Sequence, residues 1–105
     1  MTTKTASNLC IAIKQAWAEK YGDNALSGNC FTIATILSKK LKKAEIPHKL
    51  ISGWFIIDDT TKWSHTWVEV DILILDPSVS MFGDYPQVTK IPNKQYVKRT
   101  VISSN

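Results

Sequence analysis

A chain of 105 residues has room for one domain, which excludes an enzyme that carries its cofactor on a separate fold. With 44% hydrophobic residues and only four glycines and four prolines it can build a packed core, and it falls outside the disordered and low-complexity classes. Thirteen Lys/Arg against nine Asp/Glu leave +4, an excess too small to make nucleic acid the expected partner.

From Thr5 to Tyr21, the residues Ala6, Leu9, Cys10, Ile13 and Trp17 recur at three- and four-residue intervals, so they line one side of a helix. Gly22 should stop that helix, and Gly22 to Asn29 reads as a polar loop whose two glycines can take positive φ. A second helix opens near Cys30, with Cys30, Ile33, Ala34, Leu37, Leu41 and Ala44 at helical spacing, and Ile46-Pro47 ends it. Its Lys39-Lys40-Leu41-Lys42-Lys43 run reads as a solvated helix end, where cations suit the dipole.

After Pro47 the pattern turns to strands. Leu50 to Ile57 is rich in β-branched and aromatic residues and stops at Asp58-Asp59-Thr60-Thr61. Trp63 to Val70 and Ile72 to Asp76 follow as a tight hairpin turning between Val70 and Asp71, closed by Pro77. Ser78 to Pro92, with Gly83, Pro86 and Pro92, reads as a surface loop, and Gln95 to Ile102 as a last strand. The expected fold is therefore α+β, with N-terminal helices packed on a small antiparallel β-sheet in a single domain, 1–105. No run approaches the roughly 20 apolar residues of a membrane span. Met1 to Asn8 lacks the layout of a signal peptide, so the expected location is the cytoplasm, with no membrane partner.

Three residues in different elements carry the chemistry. With the hairpin turning at Val70-Asp71, Glu69 faces Ile72, Trp67 faces Ile74, and His65 faces Asp76 on one side of the sheet. A carboxylate there fixes the imidazole tautomer and favours the cation formed when the ring takes a proton. Cys30 lies behind a Ser-Gly-Asn loop at the start of a helix, where free N–H groups and the dipole favour thiolate and can donate to an oxyanion. A Cys-His-Asp set of this kind implies acyl transfer through a thioester: Cys30 attacks, His65 serves as base then acid, and Asp76 orients His65.

The order Gly28-Asn29-Cys30, then His65-Thr66-Trp67-Val68-Glu69-Val70, then Leu75-Asp76-Pro77-Ser78 resembles the transglutaminase-like superfamily of papain-type cysteine enzymes. That family combines a helix-starting Cys, a strand beginning His-x-Trp-x-Glu and a strand ending in Asp-Pro-Thr or similar. The resemblance covers residues 28–78 and implies a papain-like/transglutaminase-like core, with Cys30 as nucleophile, His65 as base and Asp76 as orienting acid. Trp67 and Glu69 match the family strand. The chain lacks the calcium loop of the large crosslinking members and looks more similar to compact bacterial and phage forms, including leader peptidases of lasso-peptide pathways. Their substrates are often proteins or peptides, and the resemblance implies no organic cofactor and no metal.

Around this set, Trp63, next to His65, is the first choice for substrate contact, joined by Trp54 and Asn29. Asn24, Asn29, Gln15 and the Trp54 indole are candidates for a second oxyanion donor. Cys10 has only its helical spacing and reads as core. Cys30 taken alone also suits a core position, and a bare zinc site lacks the spacing of known motifs, with His48 in a different element. The rival to an enzyme is a silent binding module of the same fold, or a phage-type effector gripping a host protein through its basic helix end and aromatics.

Overall fold

A computed structural model describes residues 2–22 and 28–104. It consists of two helices packed on a five-stranded antiparallel sheet. In chain order these are α1 (Thr2–Tyr21), α2 (Cys30–Lys43), β1 (Lys49–Asp58), β2 (Thr61–Val70), β3 (Leu73–Leu75), a 3-10 turn (Val79–Phe82), β4 (Val88–Lys90) and β5 (Tyr96–Ser104). The sheet order is β4-β3-β2-β1-β5.

The helical stripes bury as their spacing predicts. Ala6, Cys10 and Ile13 of α1 meet Ile33, Ala34, Leu37 and Leu41 of α2, and both rows press on Leu50, Val68, Val70 and Leu75 of the sheet. Strand alternation sends Ile51, Trp67 and Ile74 to the opposite face, where they form a smaller cluster with Tyr96. His65 shares the parity of Trp67, and Asp76 that of Ile74, so the fold assigns both to this second face.

Helix α2 ends at Lys43, three residues before the expected Ile46-Pro47 stop, and Ala44 is exposed at its C-cap. The reason is a closed C-terminal motif. Glu45 takes φ +59°, its N–H donates to the Lys42 carbonyl, and the Ile46 N–H donates back to Leu41. Ile46 then buries in the same cluster as Leu41, the apolar contact that accompanies such an ending.

Two strand expectations need correction. The hairpin does not turn at Val70-Asp71: the observed partners are Val70 with Leu73, Glu69 with Ile74 and Val68 with Leu75. Two adjacent residues cannot face one another across a reversal, so Asp71, at φ +51°, and Ile72 form a two-residue loop. His65 and Asp76 are therefore not opposed. The slip is two residues, and side-chain parity repeats every two, so they keep the same face. The segment read as a loop from Ser78 to Pro92 also holds the 3-10 turn and β4, whose Val88 pairs with Leu75. Three residues between two prolines are too short to show a period.

Gly53 allows the last strand to close up. A Cβ there would lie 2.1 Å from the Val97 carbonyl oxygen and 2.7 Å from the Trp67 ring. The β1–β5 register shifts at Ser52/Gly53, and β5 comes down on the face that holds Trp67.

Candidate active site

β3 pairs with β2 only over Val68–Val70, so the Thr66 end of β2 has no strand beside it on that edge. Helix α2 packs against β2 and brings its first residue, Cys30, to this opening. There the backbone N–H of Thr66 and the ring of His65 lie near enough to the thiol to favour its ionised form. As the first residue of a helix, Cys30 also has a backbone N–H with no acceptor inside the helix.

His65 is 1% exposed and Asp76 0%, and His65 Nε2 lies 2.6 Å from Asp76 Oδ2. Asp76 is held in turn by two hydroxyl donors: Tyr96 at 2.7 Å to the same Oδ2, and Ser78 at 3.3 Å to Oδ1. Aromatic rings enclose the imidazole. Phe82 meets it edge-on at 4.9 Å between centroids, and Phe55, stacked on Phe82 at 4.6 Å, meets it at 6.0 Å. With Nε2 occupied by the carboxylate, the ring faces the thiol through Nδ1, which is buried and completes no hydrogen bond among the described residues. The thiol–imidazole approach is thus looser than a formed hydrogen bond, yet close enough for each group to shift the other's proton affinity.

Those shifts have opposite signs. Burial pushes the Cys30 thiol up, but the nearby ring and charge of His65, with the Thr66 N–H, outweigh it and leave the thiol below its ordinary value of 9.0. Burial pulls His65 down, but Asp76 and Cys30 together raise it from 6.5 to about 9. Cys10 shows the contrast. Fully buried, with burial and the Asp76 charge acting against ionisation, it is pushed up to about 12. The Tyr96 phenol is driven far above its usual range by burial and by Asp76, so it stays a donor.

A cleft of about 450 Å³ opens onto the thiol. Gly28 and Cys30 form one wall, Ile57, Trp63 and Ser64 the other, and Met81 and Phe82 of the 3-10 turn close it. Trp63 thus lines the cleft. Trp54 does not: its ring lies under the Lys62 ammonium, 4.7 Å from the centroid. Asn29 is the N-cap of α2, its carbonyl accepting from Ile33 N–H, with no side-chain cap bond. Among the oxyanion candidates, Gln15 donates to Glu19 on the exposed face of α1, and Asn24 lies outside the described residues. Trp67 and Glu69 serve the scaffold. The Trp67 indole donates to Glu69, whose other oxygen pairs with Lys98 of β5 at 2.9 Å.

Sequence reasoning missed Tyr96 and Ser78. Ser78 follows Asp76 by two residues, a spacing at which a hydroxyl readily turns back to a carboxylate, so it carried a local signal. Tyr96 carried none: it comes from the far side of β1, 20 residues along the chain from Asp76.

The fold and its site define an α+β domain with a half-buried cysteine at a helix start beside a buried, hydroxyl-braced His-Asp pair. No protein-family model, no curated protein and no solved structure matches the chain. Among the described residues no group of metal-ligating side chains is assembled, and no helix is long and apolar enough to cross a membrane.

Proposed function

We propose that this protein is a cysteine-dependent acyl-transfer enzyme, similar to the compact transglutaminase-like enzymes with papain-type cores, acting on a peptide or amide bond of a protein or peptide. The observation that carries the reading is the Cys30 thiol, drawn below its ordinary proton affinity beside a His65 whose far nitrogen is held 2.6 Å from buried Asp76.

In this reading the Cys30 thiolate attacks the scissile carbonyl, forming a C–S bond and an oxyanion that the Cys30 backbone N–H is placed to receive. As the oxyanion collapses, the C–N bond breaks and the proton on His65 Nδ1 goes to the departing amine. Water, or an acceptor amine, then loses a proton to the same nitrogen and attacks the thioester. The thiol is released, and the sum with water is amide plus water giving acid plus amine. Asp76 holds the ring by Nε2 throughout and favours its cation, while Tyr96 and Ser78 hold the carboxylate.

The test is alkylation by iodoacetamide across pH, read by mass spectrometry of the Cys30 and Cys10 peptides in the native protein and in His65→Ala. The expected result is rapid modification of Cys30 well below pH 9, lost in His65→Ala, with Cys10 inert. Slow labelling of Cys30 that ignores His65 would instead return the silent binding module.

A further inference from the structure

The lining of the cleft says what kind of acyl group this thiol would meet. Its side chains are Ile57, Trp63, Met81 and Phe82, with the Ser64 hydroxyl and the thiol as the polar groups. None of the described lining residues carries a charge, on a protein whose net charge is +4. Lys62 precedes Trp63 on β2, but its ammonium is taken up over Trp54. A large aromatic is left in water at the cleft, Trp63 being 55% exposed. Trp63 and Phe82 in the lining of a cleft that also holds the nucleophile form a seat for an apolar side chain. An ionised side chain entering it would lose hydration, and beyond the Cys30–His65 pair itself no described lining residue offers it a counter-charge.

We infer that the acyl donor presents an uncharged, apolar or aromatic residue to the cleft of Ile57, Trp63, Met81 and Phe82, and that donors with a Lys or Glu side chain at that place are rejected. The inference rests on the acyl-transfer reading of Cys30. At about 450 Å³ the cleft is a single modest site, so selection rests on one side chain next to the reacting carbonyl rather than on an extended sequence.

The experiment uses N-acetylated chloromethyl ketones of Phe, Leu, Lys and Glu on the full chain at pH 7. Each alkylates the thiolate by forming a C–S bond as chloride leaves, and rates are normalised to free cysteine and compared with iodoacetamide. The Phe and Leu reagents should modify Cys30 roughly 10-fold or more faster than the Lys and Glu reagents, the scale of selection an apolar pocket delivers. Trp63→Ala should shrink that ratio. Trp63→Glu, at an exposed strand position that should leave the fold intact, should turn the preference toward the Lys reagent, each rate being taken relative to the same variant's own iodoacetamide rate. Equal rates for all four reagents, with iodoacetamide labelling still fast and dependent on His65, would overturn the apolar-donor inference and leave the acyl-transfer reading standing. Slow, His65-independent iodoacetamide labelling would overturn both.

Discussion

The two histidines of this chain are both buried, and they are used in different ways. His48 has both ring nitrogens engaged: Nδ1 with the Ile46 carbonyl at 2.9 Å, and Nε2 with the Ser38 hydroxyl at 2.7 Å. The carbonyl can only accept, so Nδ1 carries the proton and Ser38 donates to Nε2. That ring ties the end of α2 to the start of β1, and its neutral form is fully satisfied. His65 has one nitrogen held by a carboxylate and the other buried beside a thiol without a completed bond. A ring satisfied on both sides is a fastener. One whose second nitrogen meets a half-exposed thiol has a proton to exchange, and burial among Phe55, Phe82 and Trp67 strengthens the charge coupling to its partners.

The contrast predicts a ranking of effects on Cys30. His65→Ala should act most strongly. With the imidazolium gone, burial and the Asp76 charge outweigh the Thr66 N–H, so the thiol's titration should rise and alkylation at pH 7 should fall by roughly 100-fold, as for loss of an acid–base partner. Retention of a fast thiol in His65→Ala would break the comparison at its centre.

Next comes the pH profile of amide turnover. If the proposed acyl transfer holds, the rising limb follows the Cys30 thiol and should lie below 9.0, and the falling limb follows His65, protonated in that scheme to release the amine, and should lie near 9. The two limbs belong to the pair jointly. A profile that still climbs beyond pH 10 would remove His65 from the acid role.

Tyr96→Phe keeps the ring packing and deletes the hydroxyl that shares Asp76 Oδ2 with His65. The carboxylate should then concentrate its charge on the imidazolium. The falling limb should move above its native position, with turnover down about 3- to 10-fold from looser orientation, the scale of one ordinary hydrogen bond. A purely structural Tyr96 would lower stability and leave the limb where it is.

Ser38→Ala should have the smallest effect on the thiol and sharpens the comparison from the other side. It leaves His48 Nε2 buried without its partner, costing about 1–3 kcal/mol by urea unfolding, while the Cys30 alkylation profile stays unchanged. A Cys30 profile that moved in Ser38→Ala would mean that the two histidine centres are coupled.

Gly53 bears on the same contrast, because it admits the close approach of β5 that carries Tyr96 to Asp76. The site draws on α2, β2, the turn after β3, and β5, so a residue remote from the thiol holds the carboxylate that holds His65.

What the sequence by itself determined are the features that repeat locally. The apolar stripes of α1 and α2 recur with the helical period, so Ala6, Cys10, Ile33, Ala34, Leu37 and Leu41 were legible as core. So were a Cys30 that opens a helix and a shared sheet face for His65 and Asp76, since parity survives a slip of two residues. Tertiary structure alone decided the true hairpin register, which depends on the two-residue loop at Asp71 and Ile72. It also decided the pairing of β4, too short for any period, the diversion of Trp54 to Lys62, and the arrival of Tyr96 from across β1. Periodicity reports which way a side chain points from its own strand or helix. It carries no information on which distant segment will lie opposite, and the bracing of Asp76 depends on that second fact.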